Sequence, residues 1–352
     1  MVKSMNRKFI KKYIDTPSPT GFEMELGGQK VWMKQAEKYA KVVETDNYGT
    51  AYAITGNLDS KYTVIMDAHC DEISWLVSKI SKDGFISVVR NGGSDAQIAP
   101  SMRVNLWGKN GKVEGIFGHP AIHIHDRPDK VELKNLFIDI GASNDKEVLE
   151  LGIEIGTVAT FQDGYMELGK NFIVGRSLDD KIGGCITLSV LKAIKDNNIE
   201  LPFKLVAINS VQEEIGLKGA EMAANRLKPD VAFIIDVCHE DSSPAYKDKE
   251  HKAGDGCIFA VAPAVHNNLL KYVKDIANKN EIKYKLEAHS RVTGTNTDSY
   301  AYPNGCPSML ISLPLRYMHT TVETVHKNDI QSTTDVLYQS IINLKENQSF
   351  KY

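Results

Sequence analysis

Three observations predict an α/β protein. Strand-length apolar runs alternate with longer segments whose apolar residues recur at helical spacing. One run, residues 231–237 (VAFIIDV), is almost wholly apolar, as expected of a strand whose sheet is covered by helices on both faces. The stretch 73–166 departs from that alternation, with short β-like runs broken by glycine and few helical patterns. The chain of 352 residues is therefore read as a discontinuous α/β domain, 1–72 and 167–352, carrying a small inserted β-rich, barrel-like domain at 73–166.

Taken in order, a helix is expected over 22–39, after a turn that starts at Pro17 and ends at Gly21. Residues 62–68 (YTVIMDA) read as a short buried strand. Within the insertion, 85–89, 103–107, 113–117 and 157–161 are β-like. A strand at 172–175 leads to a helix over 181–195 with a long apolar side of Ile182, Ile186, Val190 and Ile194. Strand 203–210, a short helix at 220–225 and strand 231–237 follow. A helix over 269–280, a strand at 283–287 and a strand at 308–313 that stops at Pro314 come next, and the last helix spans 328–343.

Composition removes several classes of function. Apolar residues are 42% and charged residues 25%, which excludes a mainly disordered chain. Lys plus Arg total 42 against 45 Asp plus Glu, a net charge of −3 that leaves no general footprint for nucleic acid and no polybasic membrane patch. No apolar run approaches the roughly 20 residues of a membrane-spanning helix. The basic start lacks the apolar stretch of a signal peptide, because Phe9-Ile10 runs straight into Lys11-Lys12. The five cysteines (Cys70, Cys185, Cys238, Cys257, Cys306) are widely spaced without a CxxC pair, which argues against a disulfide framework or a Cys-rich zinc site. A reduced, cytoplasmic, soluble chain is expected.

Chemistry-bearing residues collect at the ends of the expected strands, where open α/β sheets place their ligand sites. His69-Cys70-Asp71-Glu72 follows the strand 62–68, and Arg176-Ser177-Leu178-Asp179-Asp180-Lys181 follows 172–175. Gln212-Glu213-Glu214 follows 203–210, Asp236 stands near the end of 231–237, and Arg316-Tyr317-Met318-His319 follows 308–313. These types suit a dinuclear divalent-metal site of zinc or cobalt, with ions ~3.5–4 Å apart. A bridging carboxylate can hold that spacing, and each ion then wants one His and one further carboxylate. His69, His319, Asp179, Glu214 and Asp236 supply the two His and three carboxylates. Glu213, beside a ligand but free of coordination, is the natural base for a metal-held water, and Asp71 is placed to accept the other N–H of the His69 imidazole. Sequence physics does not choose between Asp179 and Asp180, either of which could cap the following helix. Asp236 is informative alone, since an ionised carboxylate in an apolar strand is costly unless paired or metal-bound.

The motifs Ala68-His69-Cys70-Asp71-Glu72, Ser177-Leu178-Asp179-Asp180-Lys181, Val211-Gln212-Glu213-Glu214-Ile215-Gly216, Ile235-Asp236-Val237 and Arg316-Tyr317-Met318-His319-Thr320 resemble, in order and spacing, those of the tetrahedral aminopeptidases, metallopeptidase family 42. The resemblance implies a mixed-sheet, zinc-peptidase-like α/β/α catalytic domain with a dimerisation domain at the insertion. It implies that His69 and Asp236 bind one metal, that Glu214 and His319 bind the other, and that Asp179 bridges them. Glu213 would be the general base and proton shuttle, with Asp71 orienting His69. It further implies removal of N-terminal residues from peptides with a free N-terminus by two divalent ions per chain, zinc or cobalt, with manganese as the other option. The assembly implied is a homo-oligomer, a dodecamer built from dimers. The alternative reading is a two-metal N-acyl-amino-acid or peptide deacylase on the same scaffold.

The sequence departs from that pattern in places. Ser74 stands where the family commonly has glycine, and 294–298 (GTNTD) has fewer glycines than usual, which bears on pocket shape. Cys70 and Cys238 are expected near the metals, where oxidation sensitivity would follow. His119, His123 and His125 lack the partners of a third metal site and are read as surface or subunit-contact residues. Glu323 and His326 are read as loop residues, the basic stretches 7–12 and 247–252 as solvated faces, and Gly183-Gly184 as no phosphate loop.

Overall fold

Strand β3 is buried at every position and lies in the middle of an 11-stranded mixed sheet in the computed structural model, which describes residues 2–123, 130–244 and 251–352. The strands before the insertion are β1 (Val42–Thr45), β2 (Ala51–Gly56) and β3 (Thr63–His69). The insertion carries β4 (Ser74–Ile80), β5 (Ile86–Asn91), β6 (Arg103–Gly108), β7 (Gly111–Phe117), β8 (Phe137–Asp139) and β9 (Val158–Phe161). After it come β10 (Met166–Leu168), β11 (Phe172–Gly175), β12 (Lys204–Ser210), β13 (Val231–His239), β14 (Cys257–Val261), β15 (Tyr284–Ala288), β16 (Ser308–Arg316) and β17 (Glu323–His326). The α-helices are α1 (Arg7–Asp15), α2 (Glu23–Leu26), α3 (Gly28–Ala36), α4 (Asp145–Glu150), α5 (Leu178–Asp196), α6 (Lys218–Leu227), α7 (Asn267–Lys279), α8 (Thr297–Asn304) and α9 (Lys327–Ile342).

The large sheet runs β1-β2-β12-β3-β13-β16-β17-β11-β10, with β14 and β15 branching from β16. Its centre, β12-β3-β13-β16, is parallel, so these four strands deliver their C-terminal ends to one edge. Ser210 stands opposite His69 there, and Asp236 opposite Ser312. Two antiparallel steps, β16 to β17 and β17 to β11, bring the end of β11 and the start of α5 to the same edge. Helix α5 packs along β3 and against α9, closing the main core. Strands β4-β5-β8-β7-β6-β9 close into a separate six-stranded barrel around Trp75, Phe117 and Phe161. Trp75 and Phe117 meet edge to face at 5.4 Å. Among the described residues no helix is long and apolar enough to cross a membrane.

Several expected elements take another form. The single helix over 22–39 is two, α2 and α3, broken at Gly27, whose φ of +101° suits glycine and ends a helix. The strand expected to stop at Pro314 continues to Arg316. Pro314 pairs with Cys238 of β13, and on its other side it falls in the gap between the β14 register, which ends at Ser312, and the β17 register, which begins at Leu315. The missing N–H is therefore not demanded by that side of the ladder. Glu323 and His326 are the ends of a buried strand, not loop residues. The basic stretch at 7–12 forms most of α1, with Phe9 and Ile10 turned inward. His125 and residues 247–250 lie outside the described residues; His123 is exposed.

Candidate metal centre

His69 ends β3 with its ring fully enclosed. Its Nε2 stands 2.9 Å from Asp179 Oδ1, and its Nδ1 stands 3.2 Å from the Asp71 carbonyl and 3.5 Å from Asp71 Oδ1. The other oxygen of Asp179, Oδ2, lies 3.4 Å from His319 Nε2, which is also 3.4 Å from Glu214 Oε1. Asp179 thus faces two histidines delivered by different strands, one with each oxygen. Donor atoms gather within 4.8 Å of one another in three sets: His69, Asp179 and Asp236; Asp179, Glu214 and His319; and His69, Glu213 and Glu214. All five sequence-predicted ligand residues and Glu213 are brought together, and Asp179 joins the first two sets.

Asp71 makes more contacts than the sequence reading assigned to it. Its Oδ1 accepts the Glu213 backbone N–H at 2.9 Å, and its Oδ2 accepts the Glu214 N–H at 3.2 Å and the Thr20 hydroxyl at 2.9 Å. A carboxylate on one strand end therefore shapes the turn that carries Glu213 and Glu214. Glu23 holds the same turn from the other side, accepting the Gln212 N–H at 3.1 Å. Beneath them Glu72 is buried with Arg176 Nε at 2.9 Å and Lys181 Nζ at 3.4 Å. Burial alone would push the Glu72 carboxyl up, but the two cations outweigh it and hold it low.

The charge balance suits a cation. Burial pushes the Glu213 carboxyl up to about 9, with the charge of His69 drawing it down and those of Asp236, Glu214 and Asp71 adding to the rise. Burial likewise raises Asp236 to about 7. Burial also works against an ionised Asp179, yet hydrogen bonding to His319 and His69 holds it below the usual carboxylate range. His319, bonded to Asp179 and Glu214, is raised to about 11. A packed set of carboxylates that must borrow protons from its histidines is short of positive charge, and imidazole nitrogen with carboxylate oxygen is the donor chemistry of zinc, cobalt and manganese. The residues fit such ions.

A cavity of about 710 Å³ opens over the cluster, lined by Asp179, Glu213, Glu214, Asp236 and His319 on one side and by Cys238, Glu287, His289 and residues 292–295 on the other. Cys238 lines it, as its place two residues after Asp236 suggests, whereas Cys70 is fully buried. Two contributors escaped the sequence reading. Glu323, 2% exposed, accepts backbone N–H groups from both Asp179 and His319. Gly93, just after barrel strand β5, lies so close to the His319 ring that a Cβ there would fall 2.5 Å from Nδ1. Neither has a local signature; only Glu323's place four residues after His319 hinted at a role.

Comparison with known proteins agrees with this architecture. A family model of the M42 glutamyl aminopeptidases matches residues 49–336. The chain is 30% identical to the lysyl aminopeptidase of Pyrococcus furiosus over 332 residues, 93% of this chain and 94% of that one. It is 27% identical to the glutamyl aminopeptidase of Lactococcus lactis over 268 residues, 73% of this chain and 74% of that one. Among solved structures, the TET aminopeptidase of the marine sediment archaeon Thaumarchaeota archaeon SCGC AB-539-E09 superposes with a TM-score of 0.89 at 28% identity, covering 96% of each chain. The TET1 peptidase of Pyrococcus horikoshii, which can assemble into a tetrahedron or a large octahedral shell, superposes at 0.84 with 27% identity, covering 96% of this chain and 99% of that one. Fold and relatives together define a peptide-bond hydrolase of the aminopeptidase class. The chain belongs to the M42 glutamyl aminopeptidase family.

Proposed function

We propose that this chain is a dinuclear metal-dependent aminopeptidase acting on peptides with a free N-terminus. The observation that carries the reading is Asp179, whose two oxygens face His69 and His319 and which joins two separate donor sets. His69 and Asp236 would hold one ion, Glu214 and His319 the other, with Asp179 between them. Zinc or cobalt, with manganese as the other option, would supply Lewis acidity to the scissile carbonyl and an acidified water.

The chain's own residues do the rest. Glu213, partly buried in the cavity wall, takes the proton of the attacking water and returns it to the leaving amine. Asp71 fixes the Glu213-Glu214 backbone, so base and ligand move as one unit. The five cysteines, all free and buried, support a reducing cytoplasmic setting. The barrel exposes Phe85, Val89 and Ile116, apolar surface that supports a role for it in homo-oligomer assembly of this chain.

The test strips the protein with chelator, restores zinc, cobalt or manganese, and assays aminoacyl-anilides beside N-acetylated peptides. Restored cleavage of free-amine substrates alone is expected. Cleavage confined to the acylated members would replace this reading with the deacylase, and full activity in stripped protein would end the metal reading.

A further inference from the structure

We propose that Glu323 is a positioning residue that clamps the bridging aspartate and the second histidine into one geometry; this rests on the dinuclear reading above. The regular part of α5 begins after Asp179 and Asp180, whose backbones are not helical, and Asp180 caps it by accepting the Gly183 N–H at 3.1 Å. The Asp179 N–H lies in the kink before that cap and, being buried, needs an acceptor from outside the helix. Glu323, from β17, supplies one: its Oε2 accepts the Asp179 N–H at 3.1 Å.

The other oxygen of the same side chain, Oε1, accepts the His319 N–H at 2.9 Å. His319 sits in the left-handed region at φ +60°, and Tyr317 two residues earlier does so at φ +58°. Such backbone in non-glycine residues persists only where surrounding contacts over-determine it. The carboxylate provides that contact. It is nearly enclosed, and β17 is paired with β16 on one side and β11 on the other, so it has little freedom to follow a shifting loop.

The two clamped residues come from different elements and, in the proposed centre, share the second ion. One rigid carboxylate therefore sets the separation between the backbones of Asp179 and His319. Metal–ligand distances in a defined site hold within about 0.2 Å, and fixed backbones help both side chains meet that tolerance. Glu323 does not belong to any of the three donor sets, so its effect passes through the residues it holds.

The test is Glu323→Gln in the full chain. Its carbonyl oxygen can serve one amide while its NH₂ opposes the other, so a single clamp bond is lost at nearly constant volume. Binding of zinc and cobalt, measured by competition with a chromophoric chelator, is expected to weaken 10–100-fold at one of two sites, and kcat to fall by a similar factor with KM little changed. The visible spectrum of the cobalt form is expected to shift. Asp329→Asn is the control. Asp329 is a buried carboxylate that also accepts two backbone N–H groups, from Gly254 and Gly256, but lies outside the donor sets. It should lower thermal stability without changing metal affinity.

Wild-type affinities and kcat in folded Glu323→Gln would overturn the clamp, as would an equal loss of metal affinity in Asp329→Asn. Should Glu323→Gln fail to fold, amide hydrogen exchange on the wild-type chain decides. Strong protection of the His319 and Asp179 N–H groups supports the clamp, and exchange of these amides at the intrinsic rate of an unstructured chain refutes it. A wild-type chain that binds no divalent ion would instead refute the dinuclear reading itself.

Discussion

Replacing Gly93 with alanine should disable the second half of the proposed metal centre from the barrel side. The added Cβ would meet His319 Nδ1 at 2.5 Å and Cε1 at 2.8 Å. Carbon contacts settle at roughly 3.5–4.0 Å, so the ring must withdraw by about 1 Å. The backbone of Gly93 lies outside the left-handed region, so alanine meets no conformational penalty and the barrel should still fold. His319 has little room to comply, because its N–H is tied to Glu323 and its Nε2 must stay beside Asp179 and Glu214. A displacement several times the roughly 0.2 Å tolerance of a metal ligand should lower second-site affinity and kcat/KM by about 10–100-fold, or roughly 1.4–2.8 kcal/mol. Chelator competition and steady-state kinetics on a free-amine anilide measure both. Unchanged affinity and kcat/KM in a folded Gly93→Ala protein would refute the argument that the barrel seats this histidine.

Glu213→Gln should lower kcat by about 10²–10⁴-fold while both metals remain bound, and retention of wild-type turnover would remove Glu213 from the proton path. Asp71→Asn should loosen the Glu213-Glu214 turn, because an amide cannot accept on both sides, and reduce kcat more than zinc affinity at the His69 site; the opposite ordering would place Asp71's main effect on His69. In stripped protein, Glu213 (to about 9), Glu23 (to about 8) and Asp236 (to about 7) all bind protons more tightly folded than unfolded. Their contribution to stability is therefore full below the ordinary carboxylate range and is lost as pH rises through 7 to 9, so the melting temperature of stripped protein should fall between pH 5 and 9. Added zinc should raise that melting temperature, and by more at pH 8 than at pH 5, since the proposed ligands Asp236, His69 and His319 must give up protons to bind it; a zinc effect independent of pH would contradict this reading.

Much of the candidate site is legible in the chain because each donor follows an unmistakable apolar run. Strand β3 is buried throughout and ends at His69, and β13 carries Asp236 through otherwise apolar surroundings. The parallel centre of the sheet then places those ends side by side. Local rules failed where long-range contacts took over. Gly27 breaks what periodicity joined into one helix. Pro314 passes through a strand because its neighbour changes from β14 to β17 at that point. Glu323 looks like an ordinary polar residue after a histidine, yet one of its partners is 144 positions away.

By itself the sequence determined the candidate donor types, their order and the α/β frame, because strand burial and residue chemistry are written in short segments of the chain. Only the tertiary structure decided that Asp179 turns one oxygen to each histidine, that Asp71 holds the Glu213-Glu214 turn as well as lying beside His69, and that Glu323 from the large sheet and Gly93 from beside the barrel close on His319. Those arrangements depend on ångström-scale separations between elements far apart in the chain. Residue type and spacing along a sequence do not encode such separations until packing brings the elements together.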